Sequence, residues 1–168
     1  MEKIFEITQE DIKSLNSQQL PELLLTLVRL ESQKYDIPRS GITGSLDITS
    51  TDDGADVTVS WQGTPEKTEW FPKQNIVFQC KATDLSPQEC YNEILIKETT
   101  TLKPQISQVF EDDGAYILFF TRSCTPKMIA ARVKKFREAI RDSGKENYSS
   151  CEIQVYDAQK ISNWVNQF

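Results

Sequence analysis

With 168 residues, 38% of them hydrophobic, the chain suits a single domain over residues 1–168 with a substantial core. Its formal net charge of −6 argues against a free-standing, non-specific DNA binder. It contains no histidine, which removes His-dependent triads, His general bases and most zinc or iron sites. Hydrolysis on this chain would have to run on carboxylates, lysine and a hard, oxygen-ligated cation.

Residues 1–19 read as a leader with one short helix, for which Asp11 and Ser14 are candidate caps. No apolar run follows Met1-Glu2-Lys3, so this is not a signal peptide. The first firm helix spans Leu20 to Lys34, with Pro21 in its first turn. Its apolar run from Leu23 to Leu30 is broken by Thr26 and Arg29 and falls far short of the roughly 20 residues a membrane span needs. At about 100° per residue, Leu20, Leu23, Leu24, Leu27 and Leu30 lie in one arc with Glu31 at its centre. A carboxylate there must be paired, protonated or bound to metal, unless the helix ends at Glu31 and the side chain reaches water.

Ile42 to Ile48 is a strand or extended approach, and Asp52-Asp53-Gly54 is turn chemistry. From Asp56 to Trp61 the chain alternates, with Val57, Val59 and Trp61 on one face and Asp56, Thr58 and Ser60 on the other. Gln62 to Lys73 is a loop that carries Trp70 and Phe71 back to the core. Core packing is the expectation for Trp61 and Trp70, with stacking on bases as the alternative. Ile76 to Ala82 alternates again: Ile76, Phe78, Cys80 and Ala82 point inward, while Val77, Gln79 and Lys81 share the other face.

Ser86-Pro87-Gln88-Glu89 is a capping box that predicts a helix to about Lys97, and Pro104 to Phe110 is a further short helix. Ala115 to Thr121 holds the continuous apolar run of a strand covered on both faces. Thr125-Pro126 caps a helix whose Ile129, Val133, Phe136 and Ile140 form a core stripe. Ile153 to Tyr156 is the last strand, and Asp157 starts a final helix with Ile161, Trp164 and Val165. This order predicts an α/β fold, a central mixed β-sheet flanked by helices on both sides.

The cysteines, Cys80, Cys90, Cys124 and Cys151, form no CxxC pair and read as reduced thiols of a cytoplasmic protein. From Arg122 to Lys145 there are eight basic residues against two acidic ones, so this segment carries an excess of six positive charges. Lys127, Arg132, Lys134 and Lys135 are its candidates for contacting a nucleic-acid backbone, although a solvated charged face is the commoner explanation.

If the two middle strands pair, Asp56, Gln79 and Lys81 meet. Magnesium takes oxygen ligands, keeps several waters and uses one or two protein carboxylates. Asp56 would be the anionic ligand, Gln79 a neutral side-chain oxygen and the Cys80 backbone carbonyl a third ligand. Lys81 would orient a water or offset transition-state charge, and Glu31 would add a second carboxylate if the first helix packs beside the site. The alternative is an ordinary acidic turn, with Gln79 and Lys81 decorating the solvent face of a strand.

The order Leu24-x-x-Leu27-x-x-Leu30-Glu31, then Asp53-Gly54-Ala55-Asp56, then Phe78-Gln79-Cys80-Lys81 closely resembles the PD-(D/E)xK, or restriction-endonuclease-like, nucleases. It is most similar to the Mrr-type branch, in which the middle acid is commonly glutamine. The resemblance covers residues 20–166, including Ala115-Tyr116-Ile117-Leu118 and the segment from Asp157 to Trp164. It implies a restriction-endonuclease-like core in which Asp56 and Gln79 hold Mg²⁺, or Mn²⁺ in its place, Lys81 is the catalytic lysine and Glu31 the helix acid. The implied activity is that of a Mg-dependent endodeoxyribonuclease cutting double-stranded DNA. Domains of this kind sit at the N-terminus of large bacterial STAND-type NTPases of anti-phage defence. By that likeness the chain is the N-terminal module of a longer protein that homo-oligomerises through its other regions. A catalytically inactive nuclease fold used for nucleic-acid binding or subunit contact is the alternative. Two departures stand out: Ala55 replaces a frequent glycine, and the neutral Gln79 predicts weaker metal binding than a carboxylate.

Overall fold

The computed structural model of the chain describes residues 5–44 and 56–168. The described residues form helices α1 (Gln9–Lys13), α2 (Gln19–Lys34), α3 (Pro87–Glu93), α4 (Pro104–Glu111), α5 (Pro126–Asp142) and α6 (Ala158–Val165). The strands are β1 (Ile42–Gly44), β2 (Val57–Ser60), β3 (Asn75–Lys81), β4 (Ala115–Phe120) and β5 (Glu152–Tyr156). All five strands join one sheet in the order β1-β2-β3-β4-β5. The first three pair antiparallel and the last three parallel, so the sheet is mixed and the fold is α/β.

Strand alternation divides the core into two layers. Ile76 and Phe78 of β3 pack with Leu24, Leu27 and Val28 of α2 and with Ile161 and Trp164 of α6. Val77, one residue out of phase, packs with Tyr116, Leu118 and Phe120 of β4 beneath Cys90 of α3, Ile106 of α4 and Phe136 of α5. β4 lies between both layers and all six of its residues are buried, which is the physical reason for its unbroken apolar run. Trp164 centres the α2–α6 layer: its ring stacks on Trp70 at 5.2 Å and meets Phe71, Phe119 and Tyr156 edge-on. Trp61 and Trp70 are both core residues, with indole N–H groups donated to Pro65 O and Gln167 Oε1 at 2.7 Å each.

Several elements differ from the sequence expectations. The leader is integrated into the fold. Thr8 caps α1, Asp11 completes the capping box from the third helical position, and Ser14 closes the helix. Ile12 is buried, and the Asn166 side chain pairs with the backbone of Ile7. β1 ends at Gly44, and the rest of the expected Ile42–Ile48 strand, with the Asp52-Asp53-Gly54 turn, falls outside the described residues. α3 stops at Glu93 because the chain turns into a tight hairpin, with Ile96 N donating to Thr101 O and Lys103 N to Ile94 O. On α5 the buried residues are Arg132, Phe136, Ala139 and Ile140, while Ile129 and Val133 are half-buried, so the packed face is rotated from the expected stripe. Gly114 is needed between α4 and β4, because a Cβ there would collide with the Asn75 and Val109 carbonyls.

Candidate active site

The β2–β3 ladder ends with Val57 paired to Phe78, and Asp56 is the residue just before β2. Asp56 N–H donates to Phe78 O at 2.9 Å, and an Asp56 carboxylate oxygen accepts the Cys80 N–H at 2.7 Å. The carboxylate therefore satisfies the first β3 amide beyond the end of β2. A strand residue directs its N–H and C=O toward the same edge, so the Cys80 carbonyl leaves β3 on the side of Asp56. Of the three side chains expected to meet, Asp56 contacts the β3 backbone at Phe78 and Cys80, while Gln79 and Lys81 are gathered elsewhere.

Gln79 and Lys81 point into the other layer, as their spacing requires. Gln79 is only 3% exposed, and its amide is held at both ends: Oε1 accepts from Tyr116 Oη at 2.6 Å, and Nε2 donates to Glu93 Oε1 at 2.6 Å. Lys81 Nζ meets the same Glu93 oxygen at 2.7 Å. Glu93, at the C-terminal end of α3, was not singled out in the sequence, yet it is the carboxylate that gathers both candidate side chains. The available signal was helical phase, since Glu93 follows the buried Cys90 by three residues and precedes the buried Ile94.

Glu31 does not join this group. It follows Leu27 and Val28 by one turn on α2 and lies in the α2–α6 layer, across the sheet from Gln79 and Lys81. It is fully buried, and neither carboxylate oxygen has a hydrogen-bond partner. Burial pushes its carboxyl above the ordinary value, and this outweighs the nearby Thr68 hydroxyl, the Lys34 ammonium and the Trp70 backbone; Glu69 pushes the same way as burial. Burial without a hydrogen-bond partner disfavours the charged form of this carboxyl. The expectation of convergence fails because strand alternation sends Gln79 and Lys81 away from α2.

The basic residues of α5 also divide. Arg132 is buried, donating to Leu85 O and Met128 O at 3.0 Å each with its guanidinium 5.7 Å from the Phe120 ring centre. Its role is structural, which corrects its candidacy as a phosphate contact. Lys135 pairs with Glu138 at 3.0 Å, whereas Lys127 and Lys134 are exposed. Cys80 packs against the α2–α6 layer, and its thiol is pushed well up by burial first and then by Asp56, so it stays protonated and is no nucleophile.

No group of three or more His, Cys, Asp and Glu side chains forms a metal cluster among the described residues. The hard oxygen donors along the end of β3 are Asp56, on the Cys80 N–H, and Glu93, on Gln79 and Lys81, together with the Gln79 amide and the Cys80 carbonyl. Two carboxylates with neutral oxygens fit the modest protein ligand set of magnesium. The amide presents nitrogen to Glu93, so ligation by Gln79 requires it to turn over. Tyr116 Oη tolerates that turn because a phenol accepts as well as donates. No family model, curated protein or solved structure matched this chain in the comparisons made. The class defined by fold and site is an α/β protein with a carboxylate–amide–ammonium cluster at the end of its third strand.

Proposed function

We propose that the chain is a metal-dependent endonuclease domain that hydrolyses DNA phosphodiesters, with a restriction-endonuclease-like core. One observation carries the proposal: Gln79 and Lys81 share the Glu93 carboxylate at the end of β3, with the Asp56 carboxylate on the N–H of Cys80 between them in sequence. Asp56, Glu93, Gln79 and the Cys80 carbonyl would hold Mg²⁺, or Mn²⁺ in its place. Such an ion activates water and neutralises charge on the scissile phosphate. Lys81 places an ammonium beside the reacting phosphate, where it steadies developing negative charge. Tyr116 fixes the Gln79 amide from behind. On the motif resemblance, the biological role is that of a DNA-degrading effector in bacterial anti-phage defence, activated when oligomerisation brings several copies onto one duplex.

The test is digestion of supercoiled plasmid with Mg²⁺ by wild type, Asp56→Ala and Lys81→Ala, with clustered copies included. Loss of a transition-state partner should slow cleavage by about 10²–10³-fold. Equal cutting by the variants, or intact plasmid with wild type, would sink the proposal. A second reading, a catalytically silent fold, is favoured by the closed cluster in which Glu93 occupies Lys81 and the Gln79 oxygen turns to Tyr116. Asp56-dependent Mn²⁺ binding separates the two, because a silent domain has no such site.

A further inference from the structure

Lys81 and Glu93 open onto a cleft of about 910 Å³, whose lining also includes Asn92, Lys97, Thr99 and Lys103. The cleft brings solvent to the charged end of the Gln79–Lys81–Glu93 cluster: Lys81 and Glu93 side chains are 28% and 16% exposed, whereas Gln79 is buried. A substrate reacting at Lys81 through this opening passes the hairpin between α3 and α4. That hairpin is well held. Leu95 and Leu102 are buried and bridge across it, Ile96 N donates to Thr101 O at 2.8 Å, Thr99 N to Ile96 O at 3.0 Å, and Lys103 N to Ile94 O at 2.9 Å. Glu98 takes φ 63° at its turn. Two lysines on a pre-organised wall can meet a chain of phosphates without first paying to order the loop.

We infer that the phosphate backbone of the DNA substrate runs through this cleft, with Lys97 and Lys103 as its positioning contacts, instead of along α5. The inference rests on the hydrolase proposal for the identity of the substrate. Lysine, amide and hydroxyl groups such as Lys97, Lys103, Asn92 and Thr99 are the kinds that contact phosphate oxygens and set register without reading sequence. The mixed charge of the cleft, with Glu93 and Glu98 among the lysines, matches a site that takes a polyanion together with a divalent cation. On α5, Arg132 is committed to Leu85 O and Met128 O and Lys135 to Glu138, so Lys127 and Lys134 are the cations by which α5 would compete.

The test is equilibrium binding of a labelled DNA duplex to the chain in Ca²⁺, used in place of Mg²⁺ to suppress cleavage, as salt is varied. Losing two phosphate contacts should reduce the slope of log K against log salt by about 1.8, at about 0.9 per phosphate. Lys97→Ala/Lys103→Gln should show that reduction, exposed Lys97→Ala alone about half of it, and exposed Lys67→Ala none. Thermal unfolding checks that the variants fold, and Lys97→Ala alone carries the test if the Lys103 change does not. An unchanged slope in the Lys97 variants, no duplex binding by wild type, or loss of slope in Lys127→Ala/Lys134→Ala instead would overturn the inference. Lysine-dependent binding without cleavage would leave it standing while removing the hydrolase proposal; cleavage with an unchanged slope would do the reverse.

Discussion

Replacing Glu31 by methionine should stabilise the protein at neutral pH. The side chain is fully buried on α2 near Thr68 and Trp70, and neither oxygen is hydrogen-bonded. A buried polar group left without a partner costs about 1–3 kcal/mol, and more when charged. Methionine has a similar length and no oxygens to satisfy, so Glu31→Met should recover about that amount. In a chain of this size that corresponds to a rise in Tm of about 2–4 °C per kcal/mol. The sign of the pH dependence follows from burial. The folded carboxyl holds its proton to higher pH than the ordinary value of 4.5, so the native state binds more protons between that value and the raised one. Wild-type stability from this group therefore falls as pH rises through that window, and the advantage of Glu31→Met grows with it. Urea denaturation of both proteins at about pH 4.5 and pH 7.5 isolates the effect, because the other titrations cancel in the difference. A variant less stable than wild type at pH 7.5, or a difference that does not change with pH, would refute the reasoning and point to a charged Glu31 with a partner.

Arg132→Met should destabilise the fold by about 1–3 kcal/mol in urea denaturation, because the Leu85 and Met128 carbonyls lose a buried donor. The Cys90 thiol is pushed up to about 12, chiefly by burial, so it should resist alkylation at pH 8 until denaturant is added; prompt labelling of folded protein by mass spectrometry would contradict this. Gln79→Glu should lower metal-free stability and increase the Tm gained from Mn²⁺, because it sets a carboxylate against Glu93 at hydrogen-bond distance. Equal metal-free stability of Gln79→Glu and wild type at pH 7.5 would count against the contact.

How far the sequence reveals this fold depends on how local the governing physics is. Alternation in β2 and β3 is local, and it places Val57, Val59, Ile76 and Phe78 in one layer and Gln79 and Lys81 in the other. The run from Ala115 to Phe120 likewise announces a strand covered on both faces. The helical phase of α2 places Glu31 on the buried face, but a helix period does not say which side of a sheet the helix will cover. Glu31 and Glu93 each break an apolar helix face, and only the tertiary arrangement shows that α3 lies on the side of Gln79 and Lys81. Arg132 fails for a different reason. A basic residue on an amphipathic helix is ordinarily solvated, and the two carbonyls that allow its burial belong to Leu85, far away in sequence, and to the helix's own Met128.

The neutral residue at position 79 then has a physical account that composition alone does not supply. Gln79 is buried between a phenol that donates to it and a carboxylate that accepts from it, and only an amide satisfies both contacts without charge. A glutamate at position 79 would leave two carboxylates facing one another, one of which would have to be protonated or bridged by a cation. The cluster is thus stable without metal at the cost of weaker ligation: Glu93 is neutralised by Lys81, and the Gln79 oxygen is turned away from it. Metal entry would require Glu93 to share its charge with the ion, the Lys81 contact to loosen and the Gln79 amide to turn over, three coupled changes at the end of one strand. On the proposed function, that coupling gives the resting state low metal affinity and lets substrate phosphate beside Lys81 favour the open arrangement, so that hydrolytic competence follows occupancy of the cleft.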